Sequence, residues 1–116
     1  MGGLKTGTSS SPNYSVKNIE PVVIGTDVQA RIFTLAPGEA IPWHYHEKST
    51  DHYFVLKGSL TINYRDAGEH SNTLQVGCRH KIEPGTAHLI SNESDEDCQF
   101  LLLQGVGSYD WIKVAE

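Results

Sequence analysis

The chain has 116 residues, a net charge of −5, 38% hydrophobic residues, 11 glycines and 5 prolines. That length supports one hydrophobic core and not two, and an acidic balance without a Lys/Arg run argues against a nucleic-acid or anionic-membrane partner. No apolar stretch approaches the ~20 residues that cross a bilayer, and the start lacks the apolar centre of a signal peptide, so the sequence reads as cytoplasmic.

Residues 1–13 are rich in Gly, Ser and Thr and read as a flexible leader, or as an arm that docks on a partner subunit. Met1 to Thr6 formally fits a myristoylation pattern, but the flexible leader is the simpler reading. Residues 14–116 read as a single domain of strands. Pro21 to Ile24 ends at Gly25, and Val28 to Leu35 alternates and ends at Pro37-Gly38. Ile41 to His46, Asp51 to Lys57 and Ser59 to Arg65 follow, with Gly58 and Asp66-Ala67-Gly68 between and after the last two. Thr73 to Val76, His80 to Ile82, Ala87 to Ser91 and Cys98 to Gln104 complete the series. Turn signals at this spacing, with no helical period, predict an all-β sandwich or barrel. In the tail, Tyr109, Trp111, Ile112 and Val114 predict an edge strand or a docking segment, packed on the barrel or on a second subunit. Cys78 and Cys98 form no CxxC pair and read as reduced thiols. Asn13-Tyr14-Ser15 and Asn92-Glu93-Ser94 match glycosylation acceptors, but nothing else suggests secretion.

The chemistry concentrates between residues 38 and 58. His44 and His46 are two apart on a strand, so both imidazoles point to one face. Asp51 opens the next strand within reach of the same volume, and Pro84-Gly85 leads into His88 at the start of a later one. Three imidazoles and one carboxylate inside a barrel predict a divalent transition-metal site for Fe, Mn, Ni or Zn, with two octahedral positions left open. His52 points to the opposite face of its strand, and His70 and His80 read as surface or turn residues.

Gly38, His44, His46, position 51 and Gly58 carry one spaced motif, and Gly77, Gly85, His88 and Asn92 a second. With both, the chain resembles the cupins, and more narrowly small uncharacterised bacterial cupins with a Trp-His-x-His segment. The resemblance implies a double-stranded β-helix, or jelly-roll barrel, of two antiparallel sheets, a homodimer joined by sheet extension or strand exchange, and a small-molecule substrate or ligand. Two positions depart from the pattern. Asp51 stands where the motif has Glu, one methylene shorter, so it meets the metal either directly or through water. Glu83 stands where the motif has Pro, with the proline displaced to Pro84.

Period-two counting from Asp51 puts Tyr53 and Val55 on its face, making Tyr53 a candidate partner for a metal-bound group or a core filler. Ile90 falls inward with His88, while Trp43 and Tyr45 face away from the ligands. On Val28 to Leu35 either Arg31, Phe33 and Leu35 or Ile32 and Thr34 face the cavity. On Cys98 to Gln104 the choice lies between Phe100, Leu102 and Gln104 and the alternate set. An inward Arg31 or Gln104 would orient a substrate, but solvent exposure is the expectation for each, because such groups are seldom buried. The leading functional expectation is a metal-dependent enzyme of dioxygenase, isomerase or lyase type. The alternative is a non-catalytic module that holds a metal or small metabolite, as a sensor does.

Overall fold

The computed structural model describes residues 14–114, so the leader expected at 1–13 lies outside the described residues. Within them lie ten strands and no helix: β1 Asn18–Ile24, β2 Val28–Leu35, β3 Ala40–Tyr45, β4 Thr50–Lys57, β5 Ser59–Arg65, β6 Glu69–Gln75, β7 Arg79–Ile82, β8 His88–Ser91, β9 Cys98–Gly105 and β10 Ile112–Lys113. They form two five-stranded sheets, ordered β1-β2-β9-β4-β7 and β10-β3-β8-β5-β6, with every pairing antiparallel. This is the two-sheet, all-β arrangement that the turn spacing predicts.

Alternation assigns the faces. In β2 Arg31, Phe33 and Leu35 are buried, with Ala30 beside them, and in β9 Cys98, Phe100, Leu102, Gln104 and Gly105. The two strands pair Phe33 with Phe100, whose rings stack with centroids 5.2 Å apart. Leu35, Leu60, Ile62 and Ile90 complete a dry core between the sheets. Each such side chain contributes roughly 1.5–3 kcal/mol by leaving water. β6 is longer than expected: it starts at Glu69, directly after the Asp66–Gly68 turn, and pairs along the whole of β5. His70 is therefore an exposed strand residue, stacked on Tyr64.

Gly58 adopts φ +72°, and a Cβ there would lie 2.6 Å from the Asp97 carbonyl oxygen, so the tight link between β4 and β5 requires glycine. Asn92 closes the far side of the barrel. Fully buried, it donates to the carbonyls of Leu35 at 2.9 Å and Glu96 at 2.7 Å, and its Oδ1 accepts from the Ser94 amide at 3.0 Å and hydroxyl at 2.7 Å. None of these bonds reaches His44, His46, Asp51 or His88. Asn92→Ala strands these buried groups and is expected to destabilise the fold by about 2–4 kcal/mol, read as a lowered midpoint in urea with an unchanged slope. A shift below about 0.5 kcal/mol would show that water replaces the amide there.

Candidate metal centre

His44 and His46 reach the interior because β3 is irregular. Its register against β8 shifts between Ile41 and His44, so both Ile41 and His44 face inward despite their odd spacing. Trp43 faces outward, with the Arg65 guanidinium 4.0 Å from its ring centroid. His44 sits directly opposite His88 on β8, with ring centroids 4.2 Å apart. The turn before His88 forms despite Glu83. The Thr86 amide donates to the Glu83 carbonyl at 3.3 Å with Gly85 at φ +83°, a type II turn with proline in its second place. The Gly85 amide then donates to the His46 carbonyl at 2.7 Å, which clamps the two histidine segments together. Asp51 comes from the other sheet, opposite Gln104 on β9.

The ligand atoms of His44, His46, Asp51 and His88 all lie within 4.8 Å of one another, and all four residues are buried. Each imidazole has its Nδ1 engaged by a backbone carbonyl: His44 donates to Pro42 at 2.8 Å, His88 to Thr86 at 2.8 Å, and His46 to Asp110. With Nδ1–H committed outward, the Nε2 lone pairs point to a common centre. Asp51 Oδ2 lies 3.1 Å from His88 Nε2 and 3.3 Å from His46 Nε2. Metal bonds of about 2.1 Å at right angles place neighbouring donors about 3.0 Å apart, so the donor set fits a first-row ion. The shorter arm of Asp51 already reaches.

Electrostatics poise His44, His46 and Asp51 differently. Burial holds the His44 pKa well below its ordinary value, reinforced by the neighbouring His88 and His46. Burial also pushes the His46 pKa down, but the hydrogen bond and charge of Asp51 outweigh it and raise the value above 6.5. Burial alone would raise Asp51, yet hydrogen bonds from His46 and His88 hold it well below the usual carboxylate range. The carboxylate is thus an anion at neutral pH, and it is firmly oriented: Tyr53 donates to Oδ2 at 2.8 Å and Gln104 to Oδ1 at 3.0 Å. Tyr53 keeps its proton, since burial and the Asp51 charge drive its pKa far up.

Arg31 and Gln104 are buried, contrary to the expectation of solvent exposure. They bond to one another: Arg31 Nη2 and Gln29 Nε2 both donate to Gln104 Oε1, which leaves the Gln104 amide for Asp51. The tail packs on the barrel. Ile112 and Lys113 pair with Tyr45 and His44, Trp111 stacks on His44 at 5.0 Å between centroids, and Tyr109 lies 5.5 Å from the His46 ring. Sequence reasoning recognised the apolar tail but not that Tyr109 and Trp111 line the site. With Tyr14 they wall a cavity of about 10 Å³ beside His44 and His46, room for one water. His52, paired across from Lys81 and Leu103, faces away, and His80 leans on Tyr64; neither joins the cluster. Cys98 is buried and Cys78 exposed, each a free thiol.

Comparison with known proteins agrees with this fold. No curated protein matches. An uncharacterised conserved protein with a double-stranded β-helix domain from Klebsiella pneumoniae is 19% identical, with a TM-score of 0.73 over 96% of this chain and 90% of that one. Bacillus subtilis oxalate decarboxylase, in a structure concerned with its Mn(II) centres, is 18% identical with a TM-score of 0.68. The match covers 77% of this chain but 24% of that one. Lactobacillus farciminis oxalate decarboxylase is 19% identical at a TM-score of 0.69, over 83% and 33% of the respective chains. This chain therefore spans only a quarter to a third of the decarboxylases it resembles. The cupin domain model matches residues 31–104, and the chain belongs to the cupin family.

Proposed function

We propose that the protein is a metal-dependent enzyme that holds one divalent ion on His44, His46, Asp51 and His88 and acts on a small organic molecule. The observation that carries this reading is the commitment of all three Nδ1 atoms to backbone carbonyls, which leaves three Nε2 lone pairs and one oriented carboxylate with a common focus. Bound there, the ion would supply Lewis acidity or a site for dioxygen, the chemistry of a dioxygenase, isomerase or lyase. The surrounding residues do the rest. Tyr53 and Gln104 hold Asp51, Trp111 and Tyr109 shield the histidines from solvent, and the apolar wall of Phe33, Ile41 and Leu102 keeps the field of the ion undamped. Iron, manganese, nickel and zinc all suit the donor set, and the Mn(II) centres of the Bacillus protein favour testing manganese first. Protein purified with neither chelator nor histidine tag is expected to carry about one equivalent of a transition metal by plasma mass spectrometry. A metal-free product that also refuses Mn(II), Fe(II), Ni(II) and Zn(II) on titration overturns the reading.

The active form is a homodimer. Its support is edge strand β1, whose Val22, Val23 and Ile24 are 51%, 57% and 59% exposed, an apolar edge that a monomer would leave open to pairing. Light scattering is expected to give twice the 12.8 kDa chain mass, and Val23→Lys to shift it toward one chain. A monomeric wild type at micromolar concentration excludes the dimer.

A further inference from the structure

We infer that the outer face of the β1-β2-β9-β4-β7 sheet docks a second copy of this chain face to face, with Glu20 of each copy against Arg79 of the other. The inference rests on the homodimer reading above and names the surface through which the two copies meet. Strand alternation turns Phe33, Phe100, Leu102 and Tyr53 into the core, so the residues between them point outward. That outward set is apolar at its centre: Ile32 on β2, Leu101 and Leu103 on β9, and Phe54 on β4, each half-buried. An antiparallel sheet with one solvated face ordinarily alternates apolar with polar residues. The other sheet does so, with Asn63 on β5 and Ser71 and Thr73 on β6 alternating with Ile62 and Leu74.

The register arranges the apolar face in rows. Leu101 on the central strand pairs with Ile32 on one side and Phe54 on the other, Glu20 pairs with Ile32, and Arg79 pairs with Phe54. One row across all five strands therefore reads Glu20, Ile32, Leu101, Phe54, Arg79, with an anion at one end and a cation at the other. Both charges are exposed, and neither makes an ion pair among the described residues. Such a row is complementary to its own reverse. A two-fold axis lying in the interface along β9 sets Leu101 against its own copy and each Glu20 against the partner's Arg79, whereas an axis along the row would stack like charges. The first arrangement keeps the facing strands nearly aligned, within the roughly 30° that packed sheets prefer. The adjacent row, Val23, Ala30, Leu103, His52, Lys81, carries the face on to the apolar β1 edge. Five strands about 4.8 Å apart with a rise of about 3.4 Å per residue make a face of about 600 Å² per copy, enough for a specific interface of about 1,200 Å² in total. Residues 1–13 bring only Met1 and Leu4 as large apolar side chains, too few to match a face of this size.

Sedimentation equilibrium of the full chain tests the assignment, with circular dichroism confirming that each variant folds. Glu20→Arg and Arg79→Glu each set two like-charged pairs in the dimer, and each is expected to weaken self-association at least tenfold. An equimolar mixture of these two variants is expected to recover wild-type association, because every reversed charge then faces its opposite. Leu101→Lys, which meets its own copy on the axis, is expected to sediment as one chain of 12.8 kDa. Pairing along β1 alone would leave Arg79 at the far edge of the sheet. A dimer undiminished in folded Arg79→Glu and Leu101→Lys therefore overturns the inference while the homodimer reading stands. Weakened single variants that fail to recover on mixing overturn the Glu20–Arg79 contact in the same way. A monomeric wild type overturns both.

Discussion

His88→Ala and His46→Ala are each expected to weaken Mn(II) or Co(II) binding by more than about a hundredfold. Removing only the partner of a metal ligand costs about 10–100-fold, and removal of the ligand itself costs more. Both side chains are buried and each holds its Nε2 within 3.3 Å of Asp51 Oδ2, so neither has a nearby substitute. The pH dependence follows from His46. Its pKa lies above 6.5 in the metal-free protein because Asp51 stabilises the imidazolium, so a metal must displace that proton. Affinity is therefore expected to fall as pH drops through the raised value. Stability of the metal-free protein runs the other way. A group with a raised folded pKa contributes stability that is complete below its unfolded value and is lost as pH rises through the folded one. Above pH 6.5, chelator-treated protein is expected to lose melting temperature with rising pH while its metal affinity grows. Retention of full metal content by both alanine variants would remove the basis for a histidine site.

The histidine positions were legible because strand period and motif spacing agree on them, and neither depends on distant contacts. Tyr53 was legible for the same reason: it lies two residues beyond Asp51 on a regular strand. The phase of β2 and β9 was not. An alternating strand has two possible faces, and which one turns inward is decided by the partner register, here Phe33 against Phe100. Burial of Arg31 and Gln104 defied the usual preference because Arg31 Nη2 donates to Gln104 Oε1, a bond invisible until residues 73 apart are paired. The bulge at Pro42-Trp43 has the same character, since it exists only relative to β8. The tail showed its apolar content in the sequence, but not its docking place. That is fixed by the Asp110 carbonyl on His46 and by Gly107, where a Cβ would meet the Lys48 carbonyl oxygen at 2.6 Å.

Asp51 is the proposed ligand at which this chain leaves the family pattern, and substitution there is expected to show that the shorter carboxylate belongs. Asp51→Asn removes the only carboxylate of the cluster while its amide can still meet Tyr53 and Gln104. Metal affinity is expected to fall about a hundredfold or more, and the metal-free protein to lose stability as well, because His46 loses the buried anion that holds its imidazolium. Tyr53→Phe leaves the charge but frees one oxygen to rotate, and about a tenfold loss is expected. The informative variant is Asp51→Glu, which restores the motif residue. Asp51 is fully buried, its Oδ2 already stands 3.1 Å from His88 Nε2, and both oxygens are held from behind. An extra methylene must push the carboxylate into the ion's place or displace Tyr53, a strain of about 1–3 kcal/mol. Asp51→Glu is accordingly expected to bind metal about tenfold more weakly than wild type and to melt at a lower temperature. Tighter binding by Asp51→Glu would mean that the aspartate acts across a gap through water, and that its closeness to His46 and His88 belongs only to the metal-free protein.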